Sequence, residues 1–186
     1  MTTDFQELIN KYYPEGSLRR EIYVKHCRAV ATLALKLNTM LHEPLPHNDV
    51  QTAAMLHDIG IVLTNAPDID CHGTLPYIAH GYAGADILRR KALPERFAQV
   101  CERHTGTGLS TRDIESARLP LPLDRIYIPQ STLEKLICYA DKFFSKSGDM
   151  KQKTPQQVQH DISRFGTESI DRLNDMINTF GLPPVS

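Results

Sequence analysis

Five of the helices that this sequence predicts carry one ionisable residue on a face that is otherwise apolar. In the longest of them, Ile22 and Val30 lie one turn before and one turn after His26 on the same side. Burying each such group alone costs on the order of several kcal/mol unless it finds a partner. One arrangement that satisfies all five brings them to one centre. The equivalent residues on the other four helices are His57, His80, His104 and Asp141.

The rest of the pattern is helical almost throughout, which predicts an all-α fold with no convincing strand. Asn48 is the predicted N-cap of a helix that ends at Gly60, and capping boxes are predicted to begin at Ser131 and Thr154. Two loops, 61–76 and 105–130, are rich in Gly, Pro and turn residues. The predicted helices cover about 4–13, 17–41, 48–60, 77–91, 94–104, 111–117 and 131–146, then one from 154 and a last one over 167–180.

The length of 186 residues predicts one domain that spans 1–186, with a core of ordinary size. A net charge of −1 gives no field that would attract a nucleic acid polymer or a membrane, and no apolar run is long enough to span a bilayer. The N-terminal segment MTTDFQELIN lacks the features of a secretory signal. Four scattered cysteines without C-x-x-C spacing suit reduced thiols. These features predict a cytoplasmic protein.

One solution satisfies all the buried groups, namely divalent metal ions at the centre of the bundle. Four imidazoles and two carboxylates suit Fe, Mn, Co, Ni or Zn. His57 and Asp58 are adjacent and would point about 100° apart on a straight helix. We therefore expect the metal near the helix end, with Asp58 bridging to a second ion and Gly60 permitting the turn. His160-Asp161 repeats the same two letters, but His160 lies among polar residues and is predicted to face water.

The ordered set His26, His57-Asp58 and Asp141 resembles the H…HD…D signature of the HD-domain metal-dependent phosphohydrolases, an all-α superfamily. The segments "HDIG" and "ICYADKFF" look like two of its motifs. His80 and His104 match the extra histidines of dinuclear members, which include HD-type diadenosine tetraphosphate hydrolases and an uncharacterised archaeal HD-related group. The resemblance covers roughly 20–146. Residues 147–186 are expected to form C-terminal helices that pack on this domain and to say little about the substrate.

By position, the resemblance assigns His26, His57, Asp58 and Asp141 to one ion, and His80, His104 and the shared Asp58 to another. It implies hydrolysis of a phosphoester or phosphoanhydride, expected to be that of a nucleotide, by a metal-bound hydroxide, with Asp58 and His57 as catalytic residues. Two divalent ions, two carboxylates and a hydroxide leave one positive charge, which suits a phosphate. The expected phosphate contacts are Lys142, Arg20, Lys25 and Arg28, with Arg112, Arg118 and Arg125 as further contacts if the loop 105–130 folds over the site.

Two alternatives stay open at this point. Some HD proteins with the same six ligands resemble di-iron oxygenases, which cleave C–C or C–P bonds with O₂, and the ligand set does not separate the two chemistries. The other alternative is a non-catalytic helical domain that binds metal or a nucleotide.

Overall fold

A computed structural model of the protein describes residues 5–146 and 150–183, and it confirms the all-α fold. Residues 1–4, 147–149 and 184–186 lie outside the described residues. They include the first residue of the helix predicted over 4–13 and parts of the C-terminal segment predicted over 147–186. The helices are α1 (Phe5–Tyr12), α2 (Leu18–Asn38), α3 (His47–Leu56), α4 (His80–Arg90), α5 (Glu95–Arg103), α6 (Thr111–Ser116), α7 (Thr132–Asp141), α8 (Pro155–Ser163) and α9 (Thr167–Phe180).

The prediction that the chain has no strand is wrong at one place. Within the predicted loop 61–76, β1 (Asn65–Ala66) and β2 (Cys71–His72) form a short antiparallel hairpin. The 3-10 helices Ile59–Leu63, Pro67–Ile69 and Tyr77–Ala79 lie beside it. Strands of two residues are too short for an alternating pattern to predict them.

The boundaries of α3 differ from the prediction at both ends. The helix follows Pro46, whose φ of −54° already suits a helix start, and not Asn48. It ends at Leu56, and Gly60 lies inside the following 3-10 helix with a φ outside the left-handed region. The expectation that Gly60 permits the turn at the end of this helix is therefore wrong.

Side-chain caps explain two other helix starts. Thr154 and Gln157 form the predicted capping box at α8, with Pro155 at the first helical position. Ser131 caps α7 by accepting from the backbone N–H of Glu134. The carboxylate of Glu134 accepts from the backbone N–H of Gln130 instead of closing the predicted box.

One hydrophobic core runs through the bundle. Helix α2 packs against α3 and α7, and α4 packs against α5 and the 3-10 helix Ile59–Leu63. The C-terminal helices join this core through Val158, Ile162, Leu173 and Phe180. Among the described residues, no helix is long and apolar enough to cross a membrane. This packing brings the predicted ionisable positions of α2, α3, α4, α5 and α7 toward one centre.

Candidate metal centre

The structure brings the six predicted ligands together, and each is at most 7% exposed. We call these six residues the histidine–aspartate cluster. His26 lies in the middle of α2, whereas the others stand at or just beyond helix ends. His57 and His104 follow the last residues of α3 and α5, and His80 begins α4. Asp141 is the last residue of α7. Helix ends allow several backbones to converge on one point without their side chains colliding.

The first half of the cluster is a group of four ligand atoms. Nε2 of His26 lies 3.3 Å from Nε2 of His57 and 3.0 Å from Oδ1 of Asp141. Oδ2 of Asp58 lies 3.2 Å from each of the two Nε2 atoms. Ligand atoms that are all about 2.1 Å from one metal ion stand about 3.0–3.4 Å apart. The four atoms therefore have the spacing of a coordination shell.

The second half uses the other oxygen of the same carboxylate. Oδ1 of Asp58 lies 3.2 Å from Nε2 of His104 and 3.6 Å from Nε2 of His80. The two imidazole nitrogens are 3.1 Å apart. These three residues could hold an ion. Asp58 can therefore bridge two ions, one on each oxygen.

The backbone explains how His57 and Asp58 can serve one site although they are neighbours. His57 retains helical angles, whereas Asp58 has left the helix, with φ −105° and ψ 10°. This break turns the carboxylate back toward the imidazole.

Three of the four imidazoles are held by hydrogen bonds on the side away from the cluster. The Nδ1–H groups of His57, His80 and His104 donate to carbonyls three residues earlier, each at 2.7 Å. The acceptors are the backbone oxygens of Ala54, Tyr77 and Cys101, respectively. In this tautomer Nε2 carries a lone pair, which is the form that binds a metal.

The protonation states of the second group suit cation binding. Burial and the neighbouring His104 lower the pKa of His80 to about 3, so that its imidazole is neutral at pH 7. Burial also lowers the pKa of His104. Although burial raises the pKa of Asp58, His57 and Lys146 outweigh it and hold this pKa well below its usual range. The second group thus offers two neutral nitrogens and a carboxylate.

In the first group the pKa of one histidine is raised by its neighbours. Burial lowers the pKa of His57, but Asp58 and other neighbours raise this pKa by more than burial lowers it, so that it lies well above its usual value. Oδ1 of Asp141 is buried and has no hydrogen-bond partner of good geometry among the described residues. A divalent ion between these ligands would compete with a proton for Nε2 of His57 and would give Oδ1 of Asp141 a partner. The residues present therefore fit a metal ion.

Two lysines from the end of α7 neutralise the carboxylates. Nζ of Lys142, a predicted contact, lies 2.8 Å from Oδ2 of Asp141. Nζ of Lys146 lies 2.8 Å from Oδ2 of Asp58. Sequence reasoning missed Lys146 because α7 was expected to continue to this residue, whereas the helix ends at Asp141 and the chain turns.

Three other predicted contacts lie elsewhere. The guanidinium of Arg20 donates to the carbonyl of Tyr13 and to the side chain of Asn10, and Lys25 and Arg28 are exposed on the same part of α2. Together these cations line a separate groove. They face outward because His26, on the opposite side of the helix, faces the core.

The structure has a cavity beside the cluster, and its lining includes none of Arg112, Arg118 and Arg125 of the loop 105–130. Arg125 pairs with Asp86 and Glu102, and Arg112 pairs with Glu168 at the surface.

His160 is exposed, as its polar surroundings predicted. The letters His-Asp alone therefore do not identify the site.

A cavity of about 590 Å³ opens beside the cluster. Asp141, Lys142, Lys146 and Tyr77 line its inner end. The hairpin segment 65–69 and helix α8 supply the facing walls, and Gly106 is the contribution of the loop 105–130. The predicted site thus has a cavity for a small molecule that reaches the cluster at Asp141.

The arrangement of paired ligand groups and adjoining cavity can be compared with known proteins. The family model described as HD domain matches residues 23–145. The chain belongs to the HD domain family. This HD domain resembles the HD domain of the phosphodiesterase PgpH from L. monocytogenes, with a TM-score of 0.55 and 17% identity over 94% of this chain and 95% of that one. For the same domain in complex with cyclic-di-AMP, the TM-score is 0.53 at 17% identity, with 92% of each chain covered. The likeness supports the fold.

Sequence relatives of this HD domain include two proteins named tRNA (cytidine(56)-2'-O)-methyltransferase. The one from Picrophilus torridus is 30% identical over 125 residues, which are 67% of this chain and 32% of that protein. The one from Thermoplasma volcanium is 29% identical over 180 residues, 95% of this chain and 47% of that protein. The chain thus spans less than half the length of these two relatives. An uncharacterized protein of Methanocaldococcus jannaschii is 32% identical over 170 residues, which cover 87% of this chain and 91% of that protein.

Proposed function

We propose that the chain is a metal-dependent phosphohydrolase that cleaves a phosphoester or phosphoanhydride of a nucleotide. The observation that carries the proposal is the carboxylate of Asp58, whose two oxygens face two separate ligand groups. Asp141 of the first group lines a cavity together with Lys142 and Lys146. Two divalent ions held side by side occur in many enzymes that act on phosphoryl groups, including phosphatases and nucleases.

The first ion would be held by His26, His57, Asp58 and Asp141, and the second by Asp58, His80 and His104. When bound, two such ions activate a water molecule and polarise the phosphoryl oxygens. The hydrogen bonds that Nδ1 of His57, His80 and His104 donates to backbone carbonyls fix these three imidazoles in position. Mn, Fe, Co, Ni and Zn all suit this donor set.

The lysines supply a reason to expect an anionic substrate. In the structure their ammonium groups neutralise Asp58 and Asp141. Once cations are bound to those carboxylates, the positive charge of the lysines is in excess, and it faces the cavity. A phosphate group would neutralise this charge in a site where burial strengthens electrostatic interactions.

The nucleotide assignment draws on the PgpH HD domain, whose complex contains cyclic-di-AMP. Methyl transfer is not part of this proposal, because the donor atoms of the cluster suit cations and the chain covers under half of those relatives. We further propose that residues 1–186 form one HD-type domain with the C-terminal helices packed on it. Four buried free thiols support a place in the reducing cytoplasm.

The test is phosphate release by protein reconstituted with Mn²⁺ under argon and screened against mononucleotides, dinucleoside polyphosphates and cyclic dinucleotides. We expect turnover without O₂ with at least one of these substrates. No turnover with Mn, Co, Ni or Zn, together with O₂ uptake by the iron form, would replace the hydrolase by the oxygenase. A tight nucleotide complex without turnover would indicate a sensor.

Replacing Lys146 by methionine should lower kcat/KM for phosphate release about 10- to 100-fold, because the ammonium group no longer neutralises the phosphate. Metal content should stay the same as in the wild type, since the variant keeps all six ligands and loses a cation that competes for Asp58. Steady-state kinetics and elemental analysis of the same sample check both points. Lys36→Met, at an exposed position of α2, is the matched control. Wild-type kcat/KM in Lys146→Met would show that the lysine does not act on the substrate.

A further inference from the structure

The cavity beside the cluster has two chemically different ends. At the inner end, Asp141, Lys142 and Lys146 form what we call the phosphate end. Away from these residues the lining includes five apolar side chains, which we call the apolar end. These five are Ile69 before β2, Phe144 after α7, Val158 and Ile162 of α8, and Phe165 just beyond α8. Asp68 and the ion pair of Lys153 with Asp161 also line this part of the cavity.

The size of the cavity suggests that both ends are used. A volume of about 590 Å³ lies within the range of roughly 300–1,000 Å³ for pockets that bind drug-sized molecules. It is far larger than a phosphate group needs. A substrate that filled it would carry a sizeable group beyond its phosphate, within reach of the apolar end.

The wall formed by α8 is fixed in place. Val158 and Ile162 are 2% and 4% exposed and belong to the main core. Two residues before α8 begins, the backbone N–H of Lys153 donates to the carbonyl of Phe143 at 2.8 Å. Nζ of Lys153 also pairs with Asp161 of α8 at 2.8 Å. The apolar end is therefore preformed.

Phe165 is the residue of this wall whose side chain is largely exposed. Its side chain lines the cavity and is 66% exposed, unlike the buried aromatic rings of the core. An exposed aromatic ring that faces a preformed cavity gains by stacking with a flat ligand group. The position lies outside residues 23–145, which match the HD domain family.

We propose that Phe165 and the α8 wall form a binding site for the nucleobase of the substrate, so that specificity is set beyond the segment that carries the metal ligands. This inference rests on the proposed function, which places the phosphate at the lysines. The base then stacks on Phe165, with Ile69 and Ile162 beside it. A phosphate ester without a base uses the phosphate end alone.

The test compares two ligands that differ by the base. They are the methylene phosphonate analogues of adenosine 5′-phosphate and of ribose 5-phosphate, titrated calorimetrically into Mn²⁺-loaded protein under argon. We expect the wild type to bind the adenosine analogue at least about tenfold more tightly, which corresponds to the usual contribution of one base–aromatic stack. Phe165→Ala should reduce this preference to less than about threefold and leave the affinity for the ribose analogue unchanged.

Leu123→Ala provides the control, because Leu123 is also exposed but does not line the cavity. Equal affinity of the wild type for both analogues, or an equal loss for both in Phe165→Ala, would overturn the base site and leave the proposed function intact. Failure of the wild type to bind either analogue would count against the proposed function itself, and the base site would fall with it.

Discussion

Replacing Asp58 by asparagine is expected to lower the rate of phosphate release by about 10³-fold and to reduce the bound metal to at most one ion per chain. The reason is geometric. Oδ2 and Oδ1 of Asp58 face different ligand groups, at 3.2 Å from His26 and 3.2 Å from His104. An amide retains one oxygen, and its nitrogen does not bind a metal ion. One of the two groups therefore loses its shared ligand, and the negative charge between the ions disappears.

The measurement combines phosphate release with elemental analysis of the same preparation, and circular dichroism checks that the helices persist. Asparagine has nearly the shape of aspartate, so the variant tests the charge and the second oxygen more than the packing. His160→Ala is the matched control, because His160 belongs to the same His-Asp letter pair but lies at the surface. If Asp58→Asn keeps two ions and wild-type turnover, the bridging role is refuted.

Replacing Gly60 by alanine is expected to destabilise the fold by about 3 kcal/mol or more and to weaken the second metal group. A Cβ at this position would stand 2.2 Å from the carbonyl oxygen of His80 and 2.3 Å from the backbone nitrogen of Gly84. Both obstacles are backbone atoms of α4, so the helix must move. Since α4 begins at His80, the displacement moves a predicted ligand.

Urea unfolding followed by circular dichroism gives the change in stability. Gly16→Ala is the control, because a Cβ there meets nothing within 4 Å and only the φ of 77° is unfavourable. That variant should lose about 1 kcal/mol. Equal losses in the two variants would show that the contact between Gly60 and α4 does not limit the packing.

The cluster was predictable because ionisable residues on apolar faces are costly. His26, His80 and Asp141 each interrupt a helical stripe, and a stripe shows which side of a helix is buried without any knowledge of the tertiary fold. The same reasoning placed His160 outside the site. Periodicity therefore carries information about a site when the ligands lie on the core faces of helices.

The parts that escaped prediction depend on loops and on long side chains. Lys146 reaches Asp58 because α7 stops five residues earlier than expected and the chain folds back. Arg20 points away although it lies within two turns of His26. The apolar end of the cavity joins residues from the hairpin and from α8, which are far apart in the sequence, and helical periodicity does not report such a meeting.

The central claim is that the histidine–aspartate cluster binds two metal ions, and elemental analysis tests it most directly. Wild-type protein and its His80→Ala and His160→Ala variants would be reconstituted with the same excess of Mn²⁺ and desalted. We predict about two ions per chain for the wild type and for His160→Ala, and about one for His80→Ala, because only the second group loses a ligand. Substoichiometric metal in all three proteins, unchanged by the loss of His80, would contradict the claim and make these histidines core residues.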